Sequence, residues 1–309
     1  MSSKIKIKVI GVGGSGGNAI SRMVNAGFVG ADLVAVNTDA QDLQKKKAHL
    51  KLRIGRELTH GLGAGMDPEL GRKAAIEQKE EIHELLRETD IVFITTGLGG
   101  GTGTGASPII AGIAKDLGIL TIGVATTPFS FEGQARAEIA RDGMKKLGAK
   151  VDSLVIISND NLLSFLKPET PLSKAFWICD EILHQAVRGI SDLITLPGIV
   201  NVDFADVKSI IENSGTAFFG IGRARGENRA QEAARLAINS PLLDISVSRA
   251  KGILFNISGS SDISLYEIDE AARIITKNAS PAAKVIFGAI QIESLKKGEI
   301  KITVIATGF

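Results

Sequence analysis

Six of the nine residues from Gly97 to Gly105 are glycine, and the run follows the apolar stretch Ile91-Val92-Phe93-Ile94 after only Thr95 and Thr96. A segment so poor in side chains serves where backbone must approach backbone or ligand closely, and its apolar neighbours argue against a loose linker. The start of the chain repeats the arrangement. Ile5, Ile7 and Val9 alternate with lysines, five glycines fall within Gly11 to Gly17, and Asn18 to Val24 continues with helical character. Gly61, Gly63 and Gly65 alternate in a third stretch. The 35 glycines in 309 residues exceed an average share of about 7% and are clustered, as in an ordered scaffold.

Strand and helix signals alternate along the first half of the chain. Leu33 to Val36 reads as a strand ending at Asn37-Thr38-Asp39, Glu69 to Arg87 as helix, and Ile91 to Ile94 as a buried strand. Pro108 is expected near the start of the next helix, where a missing N–H matters least. Strands at Leu120–Val124 and Ser153–Ile157 flank a helix around Ala135 to Leu147. This order implies a parallel sheet covered on both faces. From Leu172 to Leu196 apolar residues keep a three-to-four spacing until Pro197-Gly198, predicting one helix of roughly 37 Å at about 1.5 Å per residue. Beyond Asn201 come helix, strand, helix, strand and helix. The closing strands, Val285–Ile292 and Ile300–Ala306, are expected to pair antiparallel through the turn at Lys296–Glu299. The expected organisation is 1–171, a connecting helix 172–198, and 199–309. The fold class is α/β, a Rossmann-like parallel-sheet domain followed by a smaller domain with a mixed sheet.

Charge narrows the function. Lys+Arg 36 against Asp+Glu 34 leaves a formal charge of +2, which gives no electrostatic case for a nucleic-acid partner. Cys179 is the single cysteine, so no intrachain disulfide forms. No secretory pattern opens the chain, and no apolar run reaches the ~18–20 residues of a spanning helix, so a cytoplasmic protein without membrane insertion is expected.

Glycines between a strand and a helix expose N–H groups at the positive end of the helix dipole, which suits phosphate. Gly11-Val12-Gly13-Gly14-Ser15-Gly16 satisfies G-x-G-x-x-G, and Asp39 stands where a ribose-binding acid would stand in a dinucleotide fold. Alone, that pattern is equally a device for tight strand-to-helix packing. The second glycine run adds the hydroxyls of Thr102 and Thr104, and two such loops on one sheet can hold a polyphosphate. No G-x-x-x-x-G-K-[ST] is present, so backbone amides and a cation must neutralise the ligand. The competing reading is a nicotinamide-dependent oxidoreductase, against which stand the GTGTG run and the lack of an evident hydride-site group among four histidines. A nucleotide-binding structural protein with little turnover is a third.

The segment Gly97 to Ser107, GLGGGTGTGAS, resembles the glycine-rich motif of the tubulin/FtsZ GTPases. GVGGSGGNA (Gly11 to Ala19), VNTD (Val36 to Asp39), GLGAGMDPELG (Gly61 to Gly71), TPFSFEG (Thr127 to Gly133) and NVDFADV (Asn201 to Val207) extend the resemblance nearly end to end in the family's order. It implies GTP hydrolysis to GDP and phosphate in head-to-tail homopolymers, as in the bacterial cell-division members, with localisation at a mid-cell ring. Gly14, Ser15, Gly16, Gly17, Asn18, Gly99, Gly100, Gly101, Thr102 and Gly103 would surround the phosphates, with Asn37 and Asp39 beside the nucleotide. Glu132 and Arg136 would reach ribose and phosphate; otherwise they read as a solvated helix pair. Phe176 would stack on guanine, Asp180 accept from its N–H groups and Asn159 face the base; their plain alternatives are core packing, an exposed acid and a turn residue.

Asp203 and Asp206, with Asn201 beside them, would reach the nucleotide of a neighbouring molecule and direct the attacking water; by spacing alone an Asp N-cap explains them equally well. Mg²⁺ would be held mainly through phosphates and water, leaving its protein ligands unassigned, and K⁺ is a further candidate ion. Ser15 stands where the family commonly has glycine, Ser158 where proline is usual, and Lys167-Pro168-Glu169-Thr170-Pro171 is unusually rich in proline. The family's flexible tail and terminal peptide, which binds membrane tethers, have no counterpart after Phe309, so tether binding is not expected. Division regulators remain candidate partners.

Overall fold

Ile7, Val9 and the residues that follow form strand β1 (Ile7–Val12), which enters helix α1 (Gly13–Asn25) with no intervening loop. The computed structural model describes residues 5–163, 166–167, 169–195, 198–239, 247–260, 262–277, 279–292 and 295–309. The chain continues with β2 (Asp32–Asn37), α2 (Ala40–Lys45), β3 (Leu50–Arg53), α3 (Arg56–Thr59), α4 (Pro68–Glu77), α5 (Lys79–Leu86), β4 (Ile91–Gly97) and α6 (Gly101–Asp116). Next come β5 (Leu120–Thr127), a 3-10 turn (Ser130–Glu132), α7 (Gln134–Gly148), β6 (Ser153–Ser158), α8 (Asn159–Leu163) and the long helix α9 (Leu172–Thr195). Leu196, Pro197 and Pro168, named in the sequence reading, lie outside the described residues.

The first six strands form a parallel sheet in the order β3-β2-β1-β4-β5-β6. Period-two alternation puts Ile10, Val12, Val34, Val36, Val92 and Ile94 on one face, where they join a core with Ile82, Leu86, Ile110 and Leu147 from the covering helices. At their C-terminal ends, β1 and β4 each lead into a helix that begins with glycine.

Two expectations for this region are corrected. The single helix over Glu69–Arg87 is broken at Gln78, whose φ of −101° and ψ of 28° separate α4 from α5. The buried Gln78 side chain accepts the backbone N–H of Gly55 there, a tertiary contact. Pro108 lies inside α6, since the helix already begins at Gly101.

The remaining elements are α10 (Phe204–Ile211), β7 (Gly215–Arg225), α11 (Arg229–Ile238), β8 (Gly252–Gly259), α12 (Leu265–Thr276), β9 (Lys284–Gln291) and β10 (Glu299–Thr307). Their strands run in the order β7-β10-β8-β9. β10 is antiparallel to β7 and β8, while β9 is parallel to β8. The expected hairpin of the two closing strands is therefore not formed. β10 is buried on both faces along nearly its whole length and takes an interior position, whereas β9, with Val285 and Phe287 exposed, is left at the edge. The chain divides into two compact units, Met1–Arg188 and Gly189–Phe309, the division falling within α9.

Candidate functional site

Three helices begin close together in the first unit, and their N-termini are treated differently by the sequence. α4 is capped by Asp67, whose Oδ1 accepts from the N–H groups of Glu69 and Leu70 at 2.8 and 3.1 Å. α1 and α6 have no side-chain cap and no acidic residue in the first turn. No side chain takes up their first-turn N–H groups, which keep the positive end of the dipole, although the Gly101 N–H itself is engaged by a backbone carbonyl. Gly13 and Gly14 of α1 and Gly101, Thr102 and Gly103 of α6 line one cavity of about 360 Å³.

The glycines divide into those that face this cavity and those that permit it. A Cβ on Gly11 would collide with the Gly16 carbonyl and one on Gly16 with the Thr95 carbonyl, so these two let α1 sit against the sheet. A Cβ on Gly101 would lie 2.6 Å from the Ala64 oxygen and 2.7 Å from that of Asp67; one on Gly105 would strike the Pro68 carbonyl, and one on Gly71 the Gly101 carbonyl. α4 and α6 therefore meet backbone to backbone. Gly101 N donates to the Gly65 carbonyl at 2.8 Å, tying the third glycine stretch to the cavity rim. The tight turn before α6 is fixed by Gly99, with a φ of 101°, whose N–H donates to Thr104 Oγ1 at 2.9 Å. Thr102 Oγ1 lies 2.6 Å from Thr38 Oγ1, which anchors the hydroxyl beside the cavity.

The other end of the cavity is chemically different. Asn159, at the start of α8, is buried and its Oδ1 has no hydrogen-bond partner. Such an orphaned acceptor is expensive unless a ligand donor satisfies it. Asp180 on α9 is only 6% exposed, and burial pushes its carboxyl up to about 6 although Arg22 and Lys46 oppose the shift. Phe176, one turn earlier and 40% exposed, meets Phe129 edge-on at 5.5 Å. Glu132 accepts from Phe129 N at 2.9 Å and pairs with Arg136, and both line the cavity. Burial, followed by the charge of Asp180, pushes the Cys179 thiol up to about 12.

Of the residues singled out in the sequence, Gly14, Ser15, Asn18, Gly100, Gly101, Thr102, Gly103, Glu132, Arg136, Asn159, Phe176 and Asp180 line this cavity. Gly16, Gly17, Gly99, Asn37 and Asp39 are not among its lining residues. Asp39 caps α2 by accepting from Asp42 N at 2.9 Å, and Asn37 donates to Asp42 Oδ2 at 2.9 Å while accepting from Thr38 N. Gly65 and Cys179 line the cavity without having been assigned a role from sequence. The alternation of Gly61, Gly63 and Gly65 was the readable signal for the first; nothing local marked the second.

Asn201, Asp203 and Asp206 belong to the second unit. Val200 bridges to Ala289 of β9, and Asn201 Oδ1 accepts from Gly198 N at 2.7 Å, so the segment before α10 is pinned to the edge strand. Asp203 occupies the N-cap position of α10 but makes no side-chain capping bond, and Asp206 sits in the first turn. The capping explanation for Asp203 therefore does not use up its carboxylate.

A sequence model of the tubulin/FtsZ GTPase domain matches residues 6–167, and one of the FtsZ C-terminal domain matches residues 215–309. The chain belongs to the tubulin/FtsZ family. It is similar to FtsZ from M. jannaschii, solved as an empty dimer, at 44% identity over 100% of this chain and 89% of that one, with a TM-score of 0.94. CetZ2 from Haloferax volcanii, solved as a GTPγS-bound protofilament, is 25% identical over 98% of this chain and 92% of that one, with a TM-score of 0.83. CetZ1 from the same organism, a GDP-bound monomer, shares the fold at 23% identity over 99% and 94% of the two chains and a TM-score of 0.84. As a tubulin/FtsZ GTPase the chain takes GTP and GDP as its nucleotides, which excludes the nicotinamide reading. Among the described residues, no helix is long and apolar enough to cross a membrane.

Proposed function

We propose that the cavity of the first unit holds the guanine nucleotide and that hydrolysis is completed by a second copy of the chain in a head-to-tail filament. The observation that carries this reading is the pairing, around one cavity, of two uncapped, acid-free helix N-termini with a buried carboxylate and an orphaned carboxamide. The helix ends suit phosphates, with Arg136 near them. Asp180 accepts from the N–H donors of guanine, Asn159 Oδ1 takes a further donor, and Phe176 packs on the base.

Asn201, Asp203 and Asp206 are proposed as the groups a neighbouring copy presents to the γ-phosphate. Their role is to orient and polarise the attacking water, since phosphoryl transfer depends chiefly on positioning and electrostatics. The dimer and protofilament described for the M. jannaschii FtsZ and H. volcanii CetZ2 structures support self-association of this kind. Mg²⁺ is proposed to enter on the phosphate oxygens and water; among the described residues no three His, Cys, Asp or Glu side chains gather as a metal-binding group. When bound, it offsets charge on the transferring phosphoryl group. K⁺ dependence is read from the same assay. The greater identity to FtsZ than to CetZ, together with the match to the FtsZ C-terminal domain, supports a cytoplasmic filament of the division ring. The named relatives are archaeal, so this role is proposed without restriction to bacteria.

The test is phosphate release and light scattering with GTP across protein concentrations. Specific activity that rises above an apparent critical concentration is expected; activity independent of concentration overturns the shared site. Coassembled Asp206→Ala and Thr102→Val chains should recover activity that neither has alone, because some mixed interfaces hold an intact half-site from each.

A further inference from the structure

Asn18 lines the cavity, and what holds its side chain is not on its own helix. Lys46, the C-cap residue just after α2, places Nζ 2.6 Å from Asn18 Oδ1 and 2.6 Å from Asp42 Oδ1. Asp42 is in turn bound through its other oxygen by Asn37 Nδ2 at 2.9 Å. A chain of polar contacts thus runs from the VNTD segment through Asp42 and Lys46 to the cavity rim. The Lys46 side chain is only 11% exposed, and Gly17 leaves room for it: a Cβ there would lie 3.0 Å from Lys46 Cε and 3.2 Å from its Cγ.

The chemistry of this contact fixes an orientation. A lysine ammonium has donors and no acceptor, so the Asn18 atom it touches must be the carbonyl oxygen. The amide NH₂ is then the end left for a ligand. Asp180, which is bonded by Arg22 one turn after Asn18 on α1, offers only acceptors while ionised. The cavity therefore presents a donor on Asn18 and an acceptor on Asp180, a pattern complementary to the guanine edge, which carries both acceptor and donor groups.

We propose that Lys46 is a positioning residue for base selection, locking the Asn18 carboxamide with its NH₂ toward the nucleotide. Gly17, which the sequence pattern suggested as a phosphate contact, serves this lock by clearing space for the lysine stem. The Lys46 charge also acts on Asp180 in the direction that keeps it ionised. This rests on the reading that the cavity holds a guanine nucleotide. It goes further by naming a residue outside the cavity lining that sets preference among bases.

The experiment is competition of GDP and ADP against a fluorescent GDP analogue on the full chain, with Lys46→Met, Lys46→Arg and Asn18→Asp. Lys46→Met keeps the length of the stem and removes the donor. Its Kd for GDP is expected to rise about tenfold, the equivalent of one hydrogen bond of about 1.4 kcal/mol, with ADP and the melting temperature unchanged. Lys46→Arg should return the GDP Kd to within about threefold of the parent. Asn18→Asp, which has no NH₂ to present, should lose the same preference even where Lys46→Met is hard to prepare. A GDP Kd within twofold of the parent in Lys46→Met overturns the proposal, as does equal weakening of GDP and ADP, which would mark a general charge effect. Failure of the parent chain to bind GDP would instead overturn the guanine reading, and this proposal with it.

Discussion

Both guanidinium nitrogens that Arg22 directs at Asp180, Nε at 3.3 Å and Nη2 at 3.2 Å, fall on the same oxygen, Oδ2. The guanidinium itself lies 4.9 Å from the ring centroid of Trp177, so it is held from two sides. Arg22 therefore leaves Oδ1 to the cavity, where the proposed reading puts the nucleobase. Arg22 is one of the cations that keep a deeply buried carboxylate from being more strongly neutralised.

Guanine nucleotide binding should carry the titration of Asp180. With its carboxyl raised to about 6, chiefly by burial, the free protein holds the ionised acceptor above that pH and loses it as pH falls through it. Affinity for GDP should therefore drop between pH 7 and 5 by more than in Asp180→Asn, in which phosphate titration is the same but the carboxyl is absent. At pH 7.5 the variant should bind roughly 10- to 100-fold more weakly, matching about 1.5–3 kcal/mol for a charged hydrogen bond. Parallel pH profiles for the two proteins would remove Asp180 from base recognition.

Adjacent glycines should respond in opposite ways to one methyl group. Gly101→Ala drives a Cβ to 2.6–2.9 Å from three backbone carbonyl oxygens, whereas a Cβ on Gly100 would meet nothing within 4 Å beyond its chain neighbours, and φ there is an ordinary −96°. Overpacking of about 1–3 kcal/mol is expected for Gly101→Ala, a fall in melting temperature of roughly 2–4 °C per kcal/mol. Gly100→Ala should melt within about 1 °C of the parent. Thermal melts of the two purified variants compare the positions directly.

Arg229 should dominate the stability of the second unit. Its side chain is 7% exposed, and it ties Asp262, at 2.8 Å, and Glu267 to the start of α11. Glu267 also closes the capping box of α12 with Ser264. Arg229→Met leaves both carboxylates without their cation and should cost about 3 kcal/mol. The sign with pH follows from the pairing: a hydrogen bond from Ser260, followed by that of Arg229, brings Asp262 down to about 2, and Arg229 lowers Glu267 below its ordinary value. Their stabilisation is present above the ordinary carboxylate range and is lost as pH falls through the lowered values. Urea midpoints should thus begin to converge between parent and variant below the ordinary carboxylate range and close further as pH falls through about 2; a constant gap from pH 7 to pH 1.5 would contradict this linkage.

Cys179 should report occupancy. Its thiol is buried, raised to about 12, and lines the cavity beside Asp180. A disulfide reagent at pH 8 should label it slowly, since almost no thiolate is present. Saturating GDP should slow labelling at least about fivefold further, because bound nucleotide blocks the approach. Mass spectrometry on the single thiol reads both rates, and labelling indifferent to GDP would count against nucleotide in this cavity.

The parallel sheet could be read from the chain because Val9, Val34 and Phe93 lie in short apolar runs bounded by glycine or polar residues. β3 could not, since Leu50-Lys51-Leu52-Arg53 is a half-exposed edge with mixed composition. The break at Gln78 depends on a contact with Gly55 that no local pattern records. The place of β10 was legible in principle: Ile300 to Ile305 is buried on both faces, as an interior strand must be, but the nearby turn favoured a hairpin. For the cavity, spacing located the glycines without saying which face a ligand. Gly11 and Gly16 are consumed in packing, Gly13 is held close to the Gly103 backbone, Gly14 is not so constrained, and the difference is decided by which atoms stand opposite. Likewise the motif's polarity at Asn37 and Asp39 did not reveal that each makes one bond with Asp42 of α2.

Where Gly71 and Gly105 bring α4 and α6 together, main chain lies on main chain with no rotamers between. An error introduced on one helix cannot be absorbed by a neighbour swinging aside, so it passes on to the floor of the cavity. Tolerated change at this crossing must then arrive in pairs, one alteration on each helix, and a library that varies the two segments together should recover folded members that single-site variation misses.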